Sequence, residues 1–201
     1  MYLLLAALLF GPARADPTRA DVWLAVLDAF PADLVDAVAD KLESEVQVRV
    51  SRVARPIPLP AAAWYAPRQR WRADRLLDLL PTLVPQAAGA RVLALTTVDI
   101  STTKDEHPDW GIFGLGELPG DAAVISSFRL RKGVDAATLR RRVVIIAAHE
   151  VGHTLGLPHC TEVGCLMLDA EGGVANTDTG TAHLGPACRA RLDRGFPARE
   201  R

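Results

Sequence analysis

Cysteine is scarce in this chain of 201 residues, which holds three. Three cysteines allow at most one disulfide within the chain, so a scaffold stapled by several is excluded. Aromatic residues make up 5% of the chain. The core must therefore be aliphatic, and a nucleic-acid surface built from aromatics set among basic residues is not expected. Charge of either sign is not in surplus either, with 23 Lys and Arg against 24 Asp and Glu. That balance gives no ground for a polyanionic partner, a membrane surface or an acidic substrate. Local basic clusters do occur at Arg68, Arg70, Arg72 and Arg75, at Arg129, Arg131 and Lys132, and at Arg140, Arg141 and Arg142. They are expected to be solvated faces. Long apolar runs are missing too. The unbroken run at residues 3–10 is too short to cross a bilayer, so no membrane span is expected.

What is present suits one domain. About half of the residues are apolar (49%), enough for a sizeable core. The run at 3–10 is followed by Gly11, Pro12 and then Ala13-Arg14-Ala15, the small-x-small pattern of a signal-peptidase site. Residues 1–15 are accordingly expected to be a cleaved export signal and 16–201 the folded domain, periplasmic or secreted and monomeric. No basic residue precedes the apolar run, which leaves open a start codon further upstream.

Periodicity places the elements. Residues 22–27 read as a buried strand, and 31–45 as a helix with Leu34, Val35, Val38 and Leu42 at helical spacing. Val46, Val48 and Val50 alternate with polar residues, the pattern of a half-exposed strand. Four prolines make 55–67 an extended loop. A second helix is expected over 70–80, a central strand over 91–100, and a long polar excursion over 101–121. Within that excursion Trp110, Ile112, Phe113 and Leu115 suggest a short ribbon. A strand at 122–127 precedes a helix over 135–154, with Asp135 as N-cap. That helix is apolar on all sides from 143 to 148 and so is expected to be deeply buried. Irregular chain follows Gly156, with a short helix near 186–193. Strands and helices alternate early, which makes the class α/β.

Three of the five histidines fall within eleven residues: His149-Glu150-Val151-Gly152-His153-Thr154-Leu155-Gly156-Leu157-Pro158-His159. Side chains four apart stand one above the other on a helix, so His149 and His153 can aim at one point. Such a pair suits zinc, which takes imidazole nitrogens in tetrahedral geometry. Glu150 lies close enough to take a proton from a water that zinc acidifies. A continuing helix would carry His159 away. Gly156 allows a left-handed end and Pro158 blocks resumption, so the chain can turn and bring His159 to the same metal. Three protein donors leave a fourth position open, as catalytic rather than structural zinc requires.

The string H-E-x-x-H-x-x-G-x-x-H is the metzincin signature. With Cys160 directly after the third histidine, then Cys165 and Met167, the chain resembles the archaemetzincins. The resemblance implies a compact zincin-like α/β fold, with a twisted sheet above the zinc helix and a small irregular C-terminal subdomain. It implies that Met167 is the Met-turn residue beneath the zinc, and that the strand at 122–127 lies near the cleft, where an edge strand pairs with extended substrate. It also implies a peptide or protein substrate, cleaved in endo- or aminopeptidase fashion. A different class stays in view: an exported zinc-binding protein with a retained but inactive metzincin site, against which Glu150 argues.

The family also carries a structural zinc on four cysteines. Here the positions are Cys160, Cys165, residue 185 and Cys188, and residue 185 is Gly185. Three readings stand: a second zinc with His183 as fourth donor, a metal-free site, or a disulfide with one thiol over.

Overall fold

The computed structural model describes residues 19–87, 90–169 and 173–195, so the expected export signal lies outside the described residues. Its frame is a five-stranded sheet. Strand β1 (Asp21–Val26) pairs in parallel with β2 (Arg49–Arg52) on one side and β5 (Arg91–Thr96) on the other. Strands β3 (Trp64–Tyr65), β4 (Arg70–Arg72), β6 (Ile100–Lys104) and β7 (His107–Ile112) form a second sheet, in the order β3-β4-β6-β7. The first sheet continues beyond β5 with parallel β9 (Ala122–Ser126) and ends at antiparallel β8 (Gly114–Gly116).

The alternation of side chains along a strand divides the core in two. Leu24, Leu93, Leu95 and Ile125 face helix α1 (Ala32–Lys41) and helix α4 (Ala136–Thr154). Leu27, Val92, Ala94 and Val124 face the opposite side, against α2 (Ala73–Leu83). A sheet covered on both faces explains why β5 and β9 are unbroken apolar runs rather than alternating ones. Three short helices complete the fold: α3 (Ser127–Leu130), α5 (Ala175–Thr179) and α6 (Pro186–Asp193).

Helix α4 is the element that carries the histidines, and both of its ends are fixed. At its start the Asp135 carboxylate accepts the Thr138 N–H at 2.8 Å, the cap expected from sequence. At its end the Thr154 carbonyl accepts Arg91 Nε at 3.1 Å and the Gly120 N–H at 3.3 Å. A guanidinium there also complements the negative end of the helix dipole.

Several expectations are corrected. The second helix begins at Ala73, not at 70, because residues 70–72 are drawn into β4. The pull is electrostatic as well as backbone pairing: Arg70 reaches Asp99 at 3.4 Å and Asp109 at 3.5 Å. The basic clusters are therefore not all solvated faces. Arg129 pairs with both oxygens of Asp99 at 2.7 and 3.0 Å, and Arg72 and Arg142 are buried. Arg129 and Arg142 take acidic partners from elsewhere in sequence, Asp99 and Asp178, which a local reading could not see, whereas Arg72 pairs with nearby Asp74. Val46 belongs to a π-helical turn (Leu42–Val46) ended by left-handed Gln47, and the strand starts only at Arg49. The central strand stops at Thr96, and Ile100 opens β6. The polar excursion is a β6–β7 hairpin followed by β8. The strand at 122–127 is not the edge: β9 lies between β5 and β8, so β8 holds the edge position.

Arg142 ties α4 to the C-terminal region. Its Nε and Nη2 meet Asp178 at 2.7 and 2.6 Å, and Nη1 donates to the Leu130 carbonyl at 3.0 Å. The hydrogen bonds from Arg142 hold the Asp178 carboxyl below the ordinary aspartate range. Asp178→Asn should destabilise the fold by about 1–3 kcal/mol in urea titration at neutral pH, since it leaves a buried guanidinium without its anion. A depressed folded pKa stabilises fully above the unfolded value of about 3.9 and is lost as pH falls below it. The gap between parent and variant should therefore close in acid.

Candidate active site

The last two turns of α4 place His149 and His153 on one buried face. Helix geometry alone would leave both rings free to rotate, and hydrogen bonds remove that freedom. His149 Nδ1 lies 2.8 Å from the Leu166 carbonyl and His153 Nδ1 lies 2.8 Å from the Leu157 carbonyl. A carbonyl can only accept, so each Nδ1 carries the proton and each Nε2 presents a lone pair. Burial, with its histidine neighbours, pushes the His149 pKa down to about 4, and burial lowers that of His153 as well. Both rings are neutral at neutral pH, as ligation requires.

The turn after the helix follows the sequence logic. Gly156 has φ 86°, the Gly156 N–H donates to the His153 carbonyl at 2.8 Å, and the Leu157 N–H donates to the Gly152 carbonyl at 3.0 Å. Those two bonds make a Schellman motif, in which only glycine adopts the left-handed position without strain. The turn returns His159 so that its Nε2 stands 3.2 Å from His153 Nε2. Neither nitrogen needs to be a donor to the other: two ligands 2.0–2.1 Å from a tetrahedral zinc lie about 3.3 Å apart. One nitrogen from each of His149, His153 and His159 falls within a mutual 4.8 Å. The donor set therefore fits zinc. His159 is the exposed member, and its Nδ1 lies 3.4 Å from Asp169, which sequence reasoning did not mark.

Glu150 is buried beside them under strand β8. A Cβ placed on Gly114 would lie 2.7 Å from Glu150 Cγ, and one on Gly116 would lie 2.4 Å from the Glu150 carbonyl oxygen. Both glycines are thus needed for this close approach. Burial pushes the Glu150 carboxyl up to about 8, opposed by a hydrogen bond from the Gly116 N–H. A cation at the histidine nitrogens would act in the same sense as that hydrogen bond, favouring the carboxylate. The spacing of glycines at 111, 114 and 116 was the sequence signal for this approach, and its meaning depends on the fold.

Met167 is fully buried against α4, and a Cβ on Gly152 would lie 2.6 Å from its sulfur. Alongside runs a cavity of about 260 Å³, walled by Phe113, Ile145, Ile146, Leu166 and Leu168 and open to His149, Glu150 and His159.

The cysteines form a separate cluster. The sulfurs of Cys160, Cys165 and Cys188 lie within 4.8 Å of one another, and all three are free thiols. Burial and the two neighbouring thiols push Cys188 up to about 12. His183 is not in that group: its Nδ1 faces Glu45 at 2.6 Å. The same Glu45 carboxylate also accepts the Leu184 N–H at 2.8 Å.

Neutral imidazoles with one open side, and a carboxyl within reach, are the donor set of a hydrolytic metal, and the chain is a zinc metallopeptidase. The model of peptidase family M54 matches residues 31–194, and the chain belongs to that family, the archaemetzincins. It is 33% identical over 137 residues to the archaemetzincin of Haloarcula marismortui, spanning 64% of this chain and 75% of that one. The crystal structure of archaemetzincin from Methanopyrus kandleri superposes with a TM-score of 0.74 at 27% identity, over 90% of this chain and 97% of that one. The Archaeoglobus fulgidus archaemetzincin superposes with a TM-score of 0.71 at 27% identity, over 85% and 99%.

The Gly152–Met167 contact is open to a direct test. Helix propensity favours Ala over Gly by about 1 kcal/mol, yet Met167 is enclosed and cannot swing away. Gly152→Ala should therefore lower the stability measured in urea by about 1 kcal/mol or more. A stabilised variant would show that the methionine yields.

Proposed function

We propose that this chain is an endopeptidase in which His149, His153 and His159 hold one zinc and Glu150 is the general base. The observation that carries the reading is the place of Glu150, buried between the histidines and the free edge of the sheet. His149, His153 and His159 would hold the zinc, which when bound would supply a Lewis acid for the scissile carbonyl and for water. The protein's own groups do the rest. Phe113 and Glu117 hydrogen-bond towards β9, so the alternation of an antiparallel pair turns the polar groups of Gly114 and the Gly116 carbonyl to the open edge, the Gly116 N–H being taken by Glu150. An extended peptide can lie along that edge as an added strand. The Gly116 N–H holds the Glu150 carboxylate, which takes the proton of the attacking water and passes it to the leaving amine. The aliphatic cavity beside the histidines takes an apolar side chain of the substrate.

Pairing with an edge strand engages the backbone of a peptide's interior rather than its terminal amine, which supports internal cleavage over removal of one terminal residue. A fluorogenic peptide with an acetylated N-terminus, an amidated C-terminus and an apolar residue beside the scissile bond tests this. The parent should cleave it. Glu150→Gln should be slower by about 10²- to 10⁴-fold with its zinc content unchanged, and His153→Ala should lose zinc at the histidines. Cleavage confined to peptides with a free amine would replace the endopeptidase with an aminopeptidase. Equal rates in Glu150→Gln would remove Glu150 from the mechanism.

The apolar run at 3–10 and the Ala13-Arg14-Ala15 pattern support export of this domain. Expression in a bacterial host should yield extracytoplasmic protein whose N-terminal sequence starts after Ala15. Unprocessed protein in the cytoplasm would overturn that reading.

A further inference from the structure

The thiol cluster is one donor short of a four-ligand site, and a carboxylate stands beside the vacant position. A Cβ built on Gly185 would lie 2.2 Å from Glu162 Oε2 and 2.7 Å from Oε1. Those distances are far inside contact range, so the Glu162 carboxylate stands in the volume that a side chain at 185 would need. Gly185 is the position at which the archaemetzincin pattern has its remaining cysteine. A side chain at 185 and the Glu162 carboxylate in its present place are therefore alternatives, and one would have to move for the other.

Backbone groups hold the sulfurs in place. Cys165 Sγ accepts the Gly185 N–H at 3.2 Å and the Met167 N–H at 3.4 Å. Three cysteine sulfurs within 4.8 Å of one another are three of the four donors that a tetrahedral zinc takes. Among the described residues Glu162 has no ion-pair partner, while His183 is turned to Glu45. Glu162 lies outside the trio of mutually close donors. It sits in the turn between Cys160 and Cys165 and is exposed, so packing does not lock its side chain.

We propose that Glu162 replaces the missing cysteine, so that Cys160, Cys165, Cys188 and Glu162 bind a zinc ion through three thiolates and one carboxylate. The donor set keeps the four negative charges of an all-cysteine site, and zinc accepts both ligand types in tetrahedral geometry. This site is independent of the peptidase reading and is tested without activity.

The experiment uses the full chain carrying His153→Ala, which removes the histidine-bound metal. Zinc per chain and zinc affinity are measured by chelator competition, and the sulfur and oxygen neighbours of zinc by X-ray absorption. One zinc with three sulfur neighbours and one light-atom neighbour is expected. Adding Glu162→Ala should weaken binding at least about tenfold. Adding Glu162→Ala together with Gly185→Cys should restore it and raise the sulfur count to four. That rescue also guards against a variant that merely misfolds. Unchanged affinity in Glu162→Ala would overturn the proposal, as would loss of this zinc in His183→Ala or a parent with no sulfur-bound metal.

Discussion

A hydrogen bond between the His149 Nδ1–H and the Leu166 carbonyl links the two halves of this molecule. It fixes which nitrogen of His149 faces the cleft, and it does so with backbone from beyond the glycine turn. The matching bond from His153 uses Leu157, inside the turn itself. Both histidines sit on the helix, but their useful orientation is set by chain that follows it. The Schellman turn, Met167 on Gly152 and the loop leading to Cys165 therefore serve one end: they hold two carbonyls where two imidazoles can reach them. Without those acceptors the same helix would present rings of undefined tautomer.

The metal-binding string was legible in sequence because its geometry is local. Four-residue spacing on a helix and a glycine at the helix end are properties of the nearest dozen residues, and both appear as read. The strand at Asp21–Val26, the cap at Asp135 and the short helix at Pro186–Asp193 were legible for the same reason. What sequence could not give was anything decided by a distant partner. Residues 70–72 look helical until Asp99 and Asp109 are beside Arg70. His183 looks like a spare ligand until Glu45, 138 positions away, occupies it. The ribbon near Leu115 was legible, but a three-residue strand of which two are glycine gave no sign that it would be the edge of the main sheet.

Glycine recurs wherever the site demands close approach, each time against a different group. Gly114 and Gly116 admit Glu150, Gly152 admits Met167, and Gly185 admits Glu162. The first three are steric conditions for the histidine site, and the last belongs to the cysteine cluster. In every case the informative quantity is what a methyl group would strike, which no composition or period reveals.

The cleft has two unlike walls. One is β8, held to β9 by backbone hydrogen bonds, with its half-buried glycines packed on Glu150. The other includes Thr177 and Gly180, whose carbonyls are held by Arg141, next to the Arg142–Asp178 pair. The first wall is a strand fixed by ladder bonds, whereas the second hangs from the helix on arginine side chains. Arginine reaches across open chain where a ladder closes strand to strand, so one side chain, Arg141, sets the position of the second wall while no single side chain sets the first.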